Sequence, residues 1–272
     1  MKLTLPWLKE HLETEASADQ IATTLTSLGL EVEDVHDRTS ELAPFTVARV
    51  VEAVQHPNAD RLRLCRVQTA AGEVQVVCGA PNARTGLYGI FAPTGSTIPA
   101  NGMVLTASKI RGVESHGMLC SARELGIGED HDGIVDLAGE PAVGTPASEV
   151  LGLEGPVFEI GLTPDRADCF GIVGIARELA AAGLGKLKER DFTAVPSHGK
   201  GPAIRLEFAE HDAGACPMFI GRLIRGVTNG PSPEWMQRRL KAIGLRPISA
   251  LVDITNYVMF DLNRPLPVFD AN

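Results

Sequence analysis

Pro44-Phe45-Thr46-Val47-Ala48-Arg49-Val50-Val51 opens the stretch whose reading decides the fold, and Arg111-Gly112-Val113-Glu114-Ser115-His116-Gly117-Met118-Leu119-Cys120-Ser121 closes it. Between them lie His56-Pro57-Asn58-Ala59-Asp60-Arg61-Leu62 and Val76-Val77-Cys78-Gly79-Ala80-Pro81-Asn82. Short Val-rich runs alternate with Pro, Asn and Gly, the pattern of short strands joined by tight turns. The stretch predicts a small β-barrel over residues 41–151.

Charge separates this barrel from its flanks. The whole chain has 25 Lys and Arg against 34 Asp and Glu, a net charge of −9, which argues against indiscriminate nucleic-acid binding. Residues 44–125 nevertheless carry Arg49, Arg61, Arg63, Arg66, Arg84, Lys109, Arg111 and Arg123 against only Glu52, Asp60, Glu73, Glu114 and Glu124. Residues 1–40 are acidic, and residues 124–140 hold six acids and no Lys or Arg. The barrel is the locally basic portion.

Outward from the barrel, Pro6 suits a first helical position, with Trp7, Leu8, His11 and Leu12 at roughly helical spacing. Ser17 and Gln20 form a capping-box pattern before Ile21, Leu25 and Leu28, and Gly29 stops that helix. Forty such residues cannot close a core alone. A partner is expected beyond the barrel, where Asp168 precedes the amphipathic series Ile172, Ile175, Ala176, Leu179 and Ala182, closed by Gly183. Residues 186–203 have a linker composition rich in Lys, Pro and Gly. Ile204–Phe208 and Met218–Val227 are then predicted as strands, and Ser232-Pro233-Glu234 opens a helix that stops at Gly244. This last unit reads as incomplete, with too few elements to close a core.

The 272 residues, 44% of them apolar, allow two or three cores. No apolar leader follows Met1 and no run approaches the roughly 18 apolar residues of a membrane span, so the expectation is an intracellular, cytoplasmic protein with no membrane. Five cysteines without a Cys-x-x-Cys fit a reducing compartment and buried packing better than zinc or disulfides.

Three ordered motifs carry a resemblance. The first is the barrel stretch. The second is Leu162-Thr163-Pro164-Asp165-Arg166-Ala167-Asp168-Cys169 running into Gly174-Ile175-Ala176-Arg177-Glu178. The third is Arg246-Pro247, then Leu251-Val252-Asp253-Ile254-Thr255-Asn256-Tyr257-Val258-Met259, then Arg264-Pro265-Leu266 and Phe269-Asp270. Together they resemble the N-terminal part of the bacterial phenylalanyl-tRNA synthetase beta subunit family, over essentially the whole chain. The resemblance implies an α+β, multidomain fold. Residues 1–40 plus 152–190 would form a discontinuous N-terminal α/β domain, and residues 41–151 an inserted OB-fold-like, tRNA-binding barrel. Residues 191–202 would be a linker and residues 203–272 a partial editing-type (B3/B4-like) module.

The same resemblance implies tRNA(Phe) and a synthetase alpha subunit as partners in an (alpha-beta)2 enzyme. It implies ATP and Mg2+ for that complete enzyme and no cofactor in this chain, which has no Gly-x-x-x-x-Gly-Lys-Ser/Thr loop. The resemblance would also place Thr255 and Asn256 near the family's editing pocket, which hydrolyses tyrosine wrongly joined to tRNA(Phe). Where the family usually has His, this chain has Pro267, which offers neither a titratable group nor an N–H. The expectation is therefore tRNA binding without catalysis, the alternative being a non-catalytic RNA-binding adaptor.

Arg61, Arg63, Arg66, Lys109 and Arg111 are the candidate tRNA contacts, against the simpler reading that they coat a strand. Only Phe45, Tyr88 and Phe91 are aromatic in this region, so base stacking is scarce and folded RNA is the expected ligand. The seven histidines lack metal-ligand spacing and are expected in turns or solvent. Asp130, Asp132 and Asp136 read as a solvated loop because Pro141 stands where a calcium loop needs Glu, and Gly171 and Gly174 as close helix packing rather than a phosphate loop.

Overall fold

The computed structural model describes residues 1–199, 201–212 and 214–271. The chain opens with β1 (Lys2–Thr4), α1 (Leu5–Leu8), β2 (Leu12–Glu13), α2 (Ala18–Ser27), β3 (Glu31–His36) and α3 (Arg38–Glu41). Then come β4 (Thr46–Gln55), β5 (Arg63–Thr69), β6 (Gly72–Cys78), β7 (Tyr88–Ala92), β8 (Ser108–Ile110), β9 (Val113–Ser115) and β10 (Met118–Leu119). After α4 (Ala147–Val150) follow β11 (Val157–Gly161), α5 (Ile172–Ala181), β12 (Lys186–Leu187), α6 (Glu234–Ala242) and α7 (Ala250–Leu262).

Local signals set the helix ends. Ser17 Oγ accepts the Gln20 amide at 3.2 Å while the Gln20 side chain accepts the Ser17 amide at 2.9 Å, a complete capping box on α2. At the other end the Leu30 amide reaches back to the Leu25 carbonyl and Gly29 to Thr26; Leu184 and Gly183 repeat the arrangement after α5. The buried faces of α2 and α5 pack on a three-stranded antiparallel sheet in the order β1-β11-β3. Its register sets Leu3 opposite Phe158 and Phe158 opposite Val35. Leu3, Trp7, Leu8, Ile21, Leu25, Phe158, Ile172, Ile175 and Leu179 are fully buried in this core. Each large apolar side chain there contributes about 1.5–3 kcal/mol of transfer free energy. His11 lies outside the helix predicted for it. Helix α1 makes a single turn, and β2 is taken up instead by an antiparallel pairing with β12. Lys186 and Leu187, read as linker, therefore form a strand.

The basic stretch curls into a five-stranded antiparallel sheet in the order β10-β7-β4-β5-β6, a half-barrel. A bulge between Val50 and Glu52 bends β4, the long central strand. One apolar layer holds Val50, Cys65, Val67, Val76, Leu87 and Leu119; the other holds Phe45, Val47, Ile90, Ala92, Ile98 and Leu125. The β8–β9 hairpin leans against β6, where His116 N–H donates to the Gln75 carbonyl at 2.9 Å and Val77 N–H to Ser115 Oγ at 3.0 Å. Gly117 permits the close approach beyond it, since a Cβ there would fall 2.5 Å from the Ala92 carbonyl oxygen.

The strands predicted at Ile204–Phe208 and Met218–Val227 are absent from the described residues. Two short strands hold together only when they bury a face, and Ile204, Leu206, Phe208, Met218, Phe219 and Ile220 are all exposed. Helices α6 and α7 dock on the first core instead. Trp7 stacks on Tyr257 with ring centroids 4.9 Å apart, Trp235 meets Tyr257 edge-on at 5.4 Å, and Ile243 joins the buried cluster. Among the described residues no helix is long and apolar enough to cross a membrane.

Candidate nucleic-acid interface

The fold treats the five basic candidates for RNA contact unequally. Arg66 on β5 faces two acids across its neighbouring strands, 3.8 Å from Glu52 and 3.6 Å from Glu73. Lys109 on β8 stands opposite Glu114 on β9 at 3.7 Å. These exposed pairs add little stability, about 0–1 kcal/mol each, but they weaken the positive field locally. Arg61, Arg63 and Arg111 are exposed and have no ion-pair partner among the described residues.

The loop that carries Arg61 is bonded to the turn that carries Arg111. Asn58 Nδ2 donates to the Arg111 carbonyl at 3.0 Å, and the His56 ring bonds the Ile110 carbonyl at 3.2 Å. Arg111 occupies the first position of the two-residue turn Arg111-Gly112 joining β8 to β9. Both residues have positive φ, 50° and 91°, as a hairpin of this length demands. For Gly112 that conformation is free; for a β-carbon-bearing arginine it costs roughly 1–2 kcal/mol. The turn thus presents a strained guanidinium-bearing tip to solvent.

Sequence reading missed other features of this half-barrel. Arg49 lies over the Tyr88 ring at 5.7 Å. His56 leads into a turn, as expected, but is buried there, and His11 of the N-terminal segment is buried as well. A cavity of about 520 Å3 lies between residues 77–81 and 131–134, with Met118, Leu119 and Arg123 in its wall. Only the tertiary fold joins these segments, so no spacing signalled them. Asp130 accepts the Asp132 amide and Asp136 pairs with Arg84, which leaves the acidic loop a solvated one.

Thr255 and Asn256 are half-buried on α7. Thr255 Oγ1 donates to the Val252 carbonyl at 2.7 Å, one turn back in its own helix. Beside them Asp253 is buried, accepting from Ser232 Oγ at 2.5 Å and from the Ile248 amide at 2.9 Å. Asp253 thereby fixes the α6–α7 connection on which Thr255 and Asn256 are carried.

One cluster has metal-like spacing among the described residues: the ligand atoms of Asp168, Cys169 and Glu178 lie within 4.8 Å of one another. The Arg166 guanidinium fills it, at 3.2 Å from both Asp168 oxygens, 3.0 Å from Cys169 Sγ and 3.1 Å from Glu178. The hydrogen bond from Arg166 holds the Asp168 carboxyl below the usual carboxylate range. Burial pushes the Cys169 thiol up to about 12, so it is a poor thiolate ligand. Mg2+ prefers oxygen ligands and its own waters, so this arginine-filled cluster does not fit it. Gly174 packs against the same turn, where a Cβ would sit 2.0 Å from the Asp168 carbonyl oxygen; close packing, not phosphate binding, explains that glycine.

Residues 45–146 match the tRNA binding domain family, and residues 215–272 match the B3/4 domain family. The full chain is 56% identical to the phenylalanine–tRNA ligase beta subunit of Zymomonas mobilis, covering 34% of that protein. It is 57% identical over 274 residues to the same-named subunit of Mesorhizobium japonicum, again covering 34% of it. The chain thus spans about a third of the length of the curated relatives it matches. A solved MetRS-related protein from Pyrococcus horikoshii is 24% identical over 38% of this chain and 87% of its own, with a TM-score of 0.28. That likeness is too slight to bear on the fold.

Proposed function

Since the chain belongs to the phenylalanine–tRNA ligase beta subunit family and corresponds to an N-terminal portion of it, we propose that it docks tRNA(Phe) on its half-barrel. The half-barrel is read as OB-fold-like, inserted into a domain built from residues 1–40 and 152–190. In the complete cytoplasmic enzyme, with an alpha subunit, this docking serves ATP- and Mg2+-dependent joining of phenylalanine to its tRNA. No step of that chemistry is assigned to residues of this chain.

The observation that carries the reading is the pair of unpaired guanidiniums, Arg61 and Arg111, on two loops bonded to each other through Asn58. Arg63 at the start of β5 extends the same charge, while Arg66 and Lys109 contribute less because nearby acids share them. Exposed arginines with few aromatics suit phosphate and 2′-hydroxyl contacts to folded RNA. The B3/4 match over residues 215–272 favours the synthetase over a free-standing RNA adaptor. Thr255 and Asn256 are proposed as the edge of an editing pocket; tyrosine differs from phenylalanine by one hydroxyl, which an apolar synthetic pocket rejects only modestly. Pro267 replaces the expected imidazole, so this chain alone is proposed to bind without hydrolysing.

Binding of tRNA(Phe) across a salt series, with Tyr-tRNA(Phe) deacylation followed in the same samples, tests the proposal. Arg61→Ala with Arg111→Ala should weaken binding and lower the salt slope by roughly one for each phosphate no longer neutralised. Arg66→Ala and Lys109→Ala should each do less. An unchanged slope in the double variant removes both arginines from the interface, and hydrolysis above background overturns the non-catalytic reading.

A further inference from the structure

We infer that His56 is a positioning residue for the RNA-binding face: a buried neutral imidazole that staples the Arg61 loop to the Arg111 turn. The inference rests on the reading of residues 45–146 as tRNA-binding. His56 is only 2% exposed, so it touches no RNA itself. Its Nδ1 accepts the Asn58 amide at 3.1 Å, and its Nε2 faces the Ile110 carbonyl at 3.2 Å. A backbone N–H only donates and a carbonyl only accepts, so the ring must be the Nε2–H tautomer, using both nitrogens.

The Nε2 bond spans 54 residues of sequence and, with the 53-residue bond from Asn58 Nδ2 to the Arg111 carbonyl, joins the loop to a hairpin with which it shares no strand ladder; the Nδ1 bond braces Asn58 within the loop. Within the first loop, His56 N–H donates to the Leu62 carbonyl at 3.1 Å. The Gln55 side chain donates to the Ala59 carbonyl at 2.8 Å and to that of Leu62 at 3.2 Å. Residues 55–62 are therefore closed on themselves, and His56 and Asn58 are the bonds by which that closed loop grips the hairpin. Arg61 rides on one element and Arg111 on the other. Without the staple, two separately mobile arginines would have to be ordered when RNA binds, and that ordering cost is subtracted from affinity. The strained backbone at Arg111 points the same way, since the turn keeps an arginine where Gly or Asn would be easier.

The test measures tRNA(Phe) affinity across a salt series for the full chain and four variants: Arg61→Ala/Arg111→Ala, His56→Ala, His56→Gln and the triple variant His56→Ala/Arg61→Ala/Arg111→Ala. His56→Ala is expected to weaken binding roughly five- to thirty-fold, the scale of ordering a loop and its side chains. His56→Gln supplies one acceptor and one donor and should recover most of that loss. In the triple variant the His56 change should cost no further affinity, because no paired arginines remain to be positioned. Nitrogen-15 spectra should show the His56 ring as the Nε2–H tautomer. Weakening by the arginine pair with no effect of His56→Ala overturns the inference alone, as does a full additional loss in the triple variant. No effect of the arginine pair overturns the interface reading and the inference with it. Thermal melts of His56→Gln keep the comparison meaningful if His56→Ala fails to fold.

Discussion

His11 and Asp261, 250 residues apart in sequence, share a buried hydrogen bond of 2.5 Å between the imidazole Nε2 and the carboxylate Oδ1. The same oxygen accepts Trp7 Nε1–H at 2.9 Å, and the second oxygen accepts from Arg190 at 3.2 Å. One carboxylate on α7 thereby gathers groups from α1, from the turn after it and from the segment beyond β12. Arg239 on α6 adds a two-bond pair to Glu10 at 2.6 and 2.8 Å and lies over the Trp7 ring at 5.5 Å.

Asp261→Ala should be among the most destabilising single changes in the chain. It leaves the His11 and Trp7 donors buried without an acceptor, a loss of roughly 3–5 kcal/mol for a broken buried pair. Urea denaturation gives the magnitude. Hydrogen exchange should locate the loss in α6 and α7; uniform exchange across the whole chain would mean that these helices are not held chiefly by this contact.

Acid should release the same contact. Burial alone would raise the Asp261 carboxyl, but hydrogen bonds from His11 and Trp7 and the Arg190 charge outweigh it and hold the group below its ordinary range. A lowered carboxyl contributes stability that is complete above about pH 4 and is lost as pH falls through the folded value. Stability measured from pH 6 downward should thus decline more steeply in the parent than in Asp261→Asn. Parallel curves would show that the carboxylate is not linked to folding.

Arg111→Gly should separate stability from binding. Removing the β-carbon relieves a residue held at φ 50°, a gain of about 1 kcal/mol, while deleting one unpaired guanidinium. The expected result is a higher melting temperature with weaker tRNA binding. A lower melting temperature would mean that the arginine side chain stabilises its own turn.

Gly174→Ala tests close packing in the first core. A Cβ there meets the Asp168 carbonyl oxygen at 2.0 Å and the Cys169 Cα at 3.1 Å, clashes that only a backbone shift can relieve. A loss of roughly 1–3 kcal/mol follows from overpacking, and tRNA affinity of the folded fraction should stay unchanged. An alanine variant as stable as the parent would show that the turn at Asp168 has room to shift.

Much of this was legible from local chemistry. The Ser17–Gln20 capping box, the helix stops at Gly29 and Gly183, and the strands between Thr46 and Cys78 follow from signals spanning a few residues. The strands expected at Ile204–Phe208 and Met218–Val227 failed for a complementary reason. Alternation marks a surface able to form a strand, but a strand also needs a neighbour whose backbone it can pair with. Of the five basic candidates, sequence could not separate Arg61 and Arg111 from Arg66 and Lys109, because the neutralising acids sit across strand ladders.

By itself, then, the sequence determined where short periodic elements begin and end, the positive bias of residues 44–125 and the ordered motifs of a beta-subunit family. Those properties are set by neighbours within one or two turns of chain. The tertiary structure alone decided that Arg166 fills the Asp168–Cys169–Glu178 cluster, that His56 bonds the Ile110 carbonyl across 54 residues, and that Asp261 holds α7 against Trp7 and His11. Each depends on bringing distant groups within hydrogen-bond reach, which only the closing of the cores supplies. Side-chain polarity written into a sequence does not say which partner will reach it first.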